Sequence, residues 1–178
     1  MYGPIIRGEL VTLRPPRDDE AEPIARWFDD LDVTRFLELR HPPTVAMEKE
    51  FLDRTARDPN GIWWALEHEG SLVGGTGIHE IDWKHGFGTT GTLIADKGAW
   101  NKGLARELMQ LRARYAFTQL PLRKLKSAYV DGNVASARAQ NAAGYREVGR
   151  WHKERFVDGE WRDMVLTELM RDDWEKSV

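Results

Sequence analysis

One segment limits the architecture more than any other. From Phe87 to Val130 the chain reads strand, glycine-bearing loop, helix, strand. Two strands joined through a helix of this length lie parallel, in a right-handed crossover, because tight hairpins serve only antiparallel neighbours. The helix, about Lys102–Thr118, carries Leu104, Leu108, Leu111 and Tyr115 at spacings of four, three and four, which makes one apolar stripe. Pro121 stops it. Gly103 stands at its mouth, although glycine lowers helix stability by about 1 kcal/mol relative to alanine.

The rest of the chain arranges itself around this crossover. Ile5–Leu13 reads as a strand ended by Pro15-Pro16. Asp18 is the expected cap of a helix over Asp19–Phe28, with Pro23 tolerated in its opening turn. Thr44 caps a second helix running to about Arg57, ended by Asp58-Pro59-Asn60-Gly61. The period then changes to that of strands at Ile62–Glu67, Ser71–Ile81 and Phe87–Ala95, the first two joined at Glu69-Gly70. Leu125–Val130 is a further strand. A short helix follows at Val134–Ala142, capped by Asn133 and closed by Gly144. Two long strands, about Arg146–Phe156 and Trp161–Leu169, flank Asp158-Gly159, a hairpin signal. The order β-α-α-β-β-β-α-β-α-β-β predicts an α+β (α/β) chain with a mixed sheet.

Composition excludes several functions. The 178 residues are about one domain's worth. A formal net charge of -3 gives no broad basic field for nucleic acid. With no cysteine there is no disulfide, thiolate metal site or cysteine nucleophile. The five histidines show no metal spacing. No stretch approaches the ~18 apolar residues of a membrane span, and MYGPIIRGEL lacks a signal-peptide run, so a cytoplasmic location is expected.

Ala99–Leu108, AWNKGLAREL, follows the strand Phe87–Ala95 directly. A loop turning into a helix N-terminus aims unpaired N–H groups at one spot, and the helix dipole adds partial positive charge. A glycine lets a bulky anion approach the backbone. Trp100, Asn101, Lys102, Gly103, Leu104, Ala105 and Arg106 together make a candidate phosphate site. The plainer reading is a capped helix start with glycine as punctuation. A third glycine for a dinucleotide fingerprint is missing, as is the Gly-Lys-Ser/Thr of a P-loop.

Asp131–Tyr145, DGNVASARAQNAAGY, follows the next strand in the same way. The spacing Trp100-x-x-Gly103-x-Ala105, then Asn133-x-x-Ser136, then Gly144-Tyr145, resembles the GNAT superfamily of acyl-CoA-dependent N-acyltransferases. GELVTLRPPRDDE, WFDDLDVTRFL, LVGGTGIHEIDW and VDGEWRDMVLTEL resemble its RimJ/RimL branch, which acetylates ribosomal-protein N-termini. The resemblance implies a single domain over residues 1–178, built on a mixed, mostly antiparallel sheet of about seven strands flanked by about four helices. It implies acetyl-CoA as co-substrate, and the histidine spacing implies no metal. The pyrophosphate would lie on the loop Trp100–Arg106, the pantetheine arm along the main chain of Thr92, Leu93 and Ile94, with Asn133 and Ser136 also at the cofactor. The plainer reading of Asn133 is a helix cap, which does not exclude that contact.

Acyl transfer to an amine needs a proton acceptor, an oxyanion donor and a hydrogen bond or proton for the departing thiolate. The chain departs from the family pattern twice. Relatives often carry a glutamate at or near the position of Thr89; the nearest carboxylates here are Glu80 and Asp82, whose two-residue spacing predicts one shared face, with His79 on the other. Solvated strand-end carboxylates are the plainer reading. Relatives often place a tyrosine where Gln140 stands, so Ser136 is the candidate beside the thiolate; the alternative is a serine bonded to local backbone. Trp83 is a candidate cleft residue, and the acidic run Trp27–Asp32 would suit a cationic acceptor or simply a solvated helix end.

The function expected is transfer of an acetyl group to a primary amine, either a protein N-terminal α-amine or a small amine, by direct attack. Two alternatives stand beside it: another donor such as succinyl-CoA, or a module that binds acyl-CoA or a partner without turnover. The closing hairpin is compatible with pairing across a homodimer and with an edge inside one chain.

Overall fold

The computed structural model describes residues 1–39 and 41–176, and within them one sheet of eight strands carries six α-helices. In chain order the elements are β1 (Ile6–Arg7), β2 (Thr12–Arg14), α1 (Ala21–Trp27), α2 (Leu31–Thr34) and α3 (Val45–Arg57). Then come β3 (Ile62–His68), β4 (Ser71–Asp82), β5 (Phe87–Ile94), α4 (Leu104–Gln119), β6 (Lys124–Val130) and α5 (Val134–Ala142). The chain closes with β7 (Arg146–Val157), β8 (Glu160–Met170) and α6 (Arg171–Glu175). The sheet order is β1-β2-β3-β4-β5-β6-β8-β7, and only β5 and β6 pair parallel. The expected crossover is therefore present, within a mostly antiparallel sheet.

The expected strand Ile5–Leu13 is instead two short strands, because the chain turns at Gly8–Leu10. A carboxylate from far along the sequence explains that turn. Glu107, in the first turn of α4, accepts the amides of Glu9, Leu10 and Val11 at 2.7, 2.8 and 2.8 Å. Asp18 is not a cap. Helix α1 begins at Ala21 after Glu20, whose carboxylate is taken by Arg14 at 2.5 Å and by the amide of Arg17 at 2.8 Å. Thr44 caps α3 as expected, accepting from the amide of Met47. The short helices α2 and α6 were not anticipated; four and five residues are too few for a readable period.

Strand alternation sorts the core onto two faces. Trp64, Leu66 and Ile78 pack with Leu104, Leu108, Ala113 and Phe117 of α4. Trp63 and Ala65 pack on the opposite face with Ile24 of α1 and Leu52 of α3. The apolar stripe of α4 is buried as its spacing predicts, each leucine contributing roughly 2 kcal/mol. Strand β7 is the sheet's outer edge, with Trp151 and Phe156 exposed, and the closing hairpin pairs within the chain. No helix among the described residues is long and apolar enough to cross a membrane.

Candidate active site

The sheet opens at one place. β5 and β6 are paired only at Phe87↔Lys124, Gly88↔Leu125 and Thr89↔Lys126. Beyond that point β5 stays with β4 as far as Ile94↔Gly74, while β6 stays with β8 as far as Val130↔Met164. Two side chains close the head of the gap: Thr90 Oγ1 donates to the Lys126 carbonyl at 3.0 Å, and Ser127 Oγ to the Thr90 carbonyl at 3.4 Å.

Peptide groups alternate along a strand. The Thr90 carbonyl is turned to the gap. Of the three residues expected along a pantetheine arm, Thr92 and Ile94 therefore turn their main chain to the gap as well, and Leu93 turns its to β4. The Ile94 carbonyl is already engaged by the indole Nε1 of Trp100 at 2.8 Å.

The loop after β5 explains its glycine. A 3₁₀ turn over Lys97–Ala99, capped by Asp96, leads to Trp100. Asn101 and Gly103 then adopt φ of +61° and +85°, a conformation costly for most L-residues and free for glycine. Gly103 is thus the residue before the helix rather than a weakness inside it. Among the described residues, no amide from Asn101 to Arg106 donates to a protein acceptor, so this stretch presents unpaired N–H groups with exposed Lys102 and Arg106 beside them. Glu107 would repel an anion here, but its carboxylate is spent on the β1–β2 turn.

On α5, Asn133 Oδ1 accepts the Ser136 amide at 3.1 Å, the cap that its position predicts. Ser136 Oγ accepts from Gln140 Nε2 at 3.2 Å, which leaves the serine's own proton free. Gln140 is buried and held twice more, donating to the Ala128 carbonyl at 3.3 Å and accepting from Thr167 Oγ1 at 2.5 Å.

The two carboxylates part company. A bulge between His79 and Asp82, with Glu80 at φ +50°, breaks the alternation, so the expected shared face is lost. Glu80 is exposed beside the head of the gap and accepts from Thr89 Oγ1 at 3.3 Å. Asp82 closes the turn into β5. Its oxygens take the ring Nδ1 and the backbone amide of His85, both at 2.8 Å, and the ring bond chiefly holds its carboxyl below the usual range. Both oxygens of Asp82 are thus engaged in the turn. Trp83 is likewise structural, donating to the Pro59 carbonyl and Asn60 Oδ1 in the turn after α3. The acidic run after Trp27 is tied down: Asp30 caps α2, and Lys97 bridges Asp30 and Asp32 at 2.7 and 3.0 Å.

Beneath β5 lies a residue that no motif or spacing in the sequence singles out. Arg112, 1% exposed, stands in the apolar stripe of α4. Its Nη1 donates to Thr76 Oγ1, the Gly91 carbonyl and Thr92 Oγ1 at 2.6, 2.9 and 2.9 Å, and its Nη2 to Tyr145 Oη at 3.3 Å. No carboxylate bonds it among the described residues, so a cation is buried directly under the gap. On the other face, α3 and His79 line an open groove of about 850 Å³ with Glu50, Asp53 and Asp58 on its walls.

The site is thus a sheet opened between parallel strands, with unpaired amides at the head of the next helix. Residues 11–146 match the family described as acetyltransferase (GNAT) domain, and the chain belongs to it as an acyl-CoA-dependent acetyltransferase. The uncharacterized N-acetyltransferase YoaA of Bacillus subtilis (strain 168) is 26% identical over 161 residues, covering 88% of this chain and 90% of that one. The spermidine N-acetyltransferase of Vibrio cholerae, solved with CoA and spermine, superposes with a TM-score of 0.86 at 19% identity, covering 94% and 99%. RimJ of Mycobacterium smegmatis, in complex with CoA-disulfide, gives 0.80 at 22% identity, covering 91% and 82%.

Proposed function

We propose that this protein transfers the acetyl group of acetyl-CoA to a primary amine, an N-terminal α-amine of a protein or a small amine, by direct attack within a ternary complex. The observation that carries the reading is the gap between β5 and β6, continuous with the unpaired amides of Asn101–Arg106.

The donor supplies an activated thioester; everything else belongs to the chain. The amides at the head of α4, with Lys102 and Arg106, hold the pyrophosphate. The main chains of Thr92 and Ile94 hold the arm, with the Trp100 indole releasing the Ile94 carbonyl as the arm arrives. Ser136, steadied by Gln140, directs its free hydroxyl proton toward the leaving sulfur. A serine hydroxyl is too weak an acid to protonate a thiolate outright, so it stabilises by a hydrogen bond and the proton comes from solvent. Glu80 places negative charge where a cationic amine arrives, and the groove walls of Glu50, Asp53 and Asp58 favour the same charge. The site draws its acceptor from the face that carries α1 and α3. We assign the exposed edge β7 as the surface through which two copies would pair, and a cytoplasmic location to the protein.

The test is thiol release from acetyl-CoA and succinyl-CoA against spermidine, amino acids and N-terminal peptides. Release from acetyl-CoA that requires one of the amines is expected. Release independent of amine, or faster from succinyl-CoA, would overturn the reading.

A further inference from the structure

The function proposed above requires a group that takes a proton from the attacking nitrogen, and neither expected carboxylate is well placed to do so. Asp82 is bound to His85. Glu80 is exposed and its oxygen receives the Thr89 hydroxyl. Between the core residue Ile78 and Glu80 stands His79, half-buried, on the opposite face of β4 from α4.

We infer that His79 is the proton acceptor of the reaction. Three features of its surroundings support this. First, its position: it pairs with Thr89, the last β5 residue joined to β6, so the ring lies at the head of the gap. Secondly, its seat is made of glycines. A Cβ on Gly77 would fall 2.7 Å from the imidazole Cε1, and one on Gly91 would fall 3.6 Å from Nε2. The ring therefore packs over a pair of cross-strand glycines, Gly77 and Gly91, the second of which lies just past the end of β5–β6 pairing. Thirdly, it has no other duty: neither ring nitrogen hydrogen-bonds to another described residue, and the side chain lines the groove that reaches the site.

The charges around the ring favour the neutral form that a base requires. Glu50, Asp53, Arg54 and Arg57 of α3 share its groove, Asp58 follows that helix, Glu80 adjoins it on β4 and Arg112 approaches from α4. Burial is the largest influence and the Arg112 cation the next. Both lower the imidazole below its usual 6.5, against weaker pulls upward from Asp58 and Glu80.

In the step itself the amine's lone pair forms the C–N bond at the thioester carbonyl carbon. The C–S bond breaks with its electron pair on sulfur. One N–H proton passes to the imidazole, which returns it to solvent, and the sulfur takes a proton from solvent while held by Ser136.

The test compares wild type with His79→Gln, both first shown to bind CoA equally by calorimetry. In wild type, kcat should fall on the acid side with a midpoint below pH 6.5, the ordinary histidine value. In H79Q, kcat should fall about 100-fold, with KM for both substrates changed little and the acid limb gone. An imidazole NMR titration, assigned by the resonance lost in H79Q, should give the same depressed midpoint without any turnover. An H79Q protein with wild-type kcat, a retained acid limb, or a His79 resonance titrating above 6.5 would overturn the assignment alone. Wild type that binds CoA and releases no thiol with any amine would overturn the function proposed above and this assignment with it.

Discussion

Gly103 shows how little a residue's chemistry says without its backbone angle. A Cβ there would meet only Leu10 Cδ1 at 3.6 Å, an ordinary contact, so space is not what demands glycine. The φ of +85° is. Gly103→Ala should cost about 1–2 kcal/mol of stability and weaken CoA binding by re-aiming the amides that follow, read by thermal melting and calorimetry. Glu48 makes the opposite case. It is buried on α3, and desolvation raises its carboxyl above the usual range. A raised acid favours folding below its unfolded value near 4.5 and weakens it as pH climbs through the folded value. Glu48→Gln should therefore raise the melting temperature at pH 7, with the gain vanishing below pH ~4. Arg112→Met removes a buried cation while keeping a side chain of similar length, and costs stability because the Gly91 carbonyl loses a donor. It should leave the fold standing while moving the His79 midpoint upward by NMR, since Arg112 is one of the two causes of its depression.

At the scale of elements, most boundaries were legible because periodicity and caps are local. Thr44, Asn133, Glu69-Gly70 and Asp158-Gly159 each act within a few residues, and each stands where its spacing puts it. What escaped was set by partners distant in sequence. Nothing near Gly8 announces the turn that splits the first strand; its anchor is Glu107, about 98 positions away, and Gly8 is needed because a Cβ there would meet that carboxylate at 2.7 Å. The bulge that separates Glu80 from Asp82 depends on register with β5. Arg112 follows Leu111 of the apolar stripe, and nothing in its own neighbourhood announces that its guanidinium is held by Thr76, Gly91, Thr92 and Tyr145. Glu107→Ala strands amides that now bond a charged acceptor, each such bond worth about 1.5–3 kcal/mol. The variant should melt lower and bind CoA more weakly, because α4 loses its clasp to the sheet edge.

For the whole molecule, the gap predicts a pattern of exchange. In the free protein the amides of Thr92 and Ile94, turned to the opening, should exchange quickly, while those of Leu93 and Gly91, paired to β4, should be protected. Adding CoA should slow Thr92 and Ile94 selectively; uniform protection along β5 would contradict the arm's placement. The share of stability that His79 contributes should be fully present above pH ~6.5 and should fall below it, as the unfolded chain protonates the histidine that the fold keeps neutral. A second loss follows as Glu20 protonates. Burial works against its charge, yet the bonds from Arg14 and the Arg17 amide hold it below 4.5, so its contribution is present above that value and is lost as pH falls through the folded one.

The glycine seat under His79 also carries a history. A chain that owns the imidazole cannot add a side chain at Gly77 without a collision, and the Ile62 carbonyl at 2.9 Å closes the other way out. Losing the ring would not open the seat, because the Ile62 carbonyl is backbone and stays where it is. The strand pair itself demands glycine at 77 and the imidazole occupies the space this leaves, so reconstructed ancestors should keep glycine at 77 whether or not they carry the ring at 79.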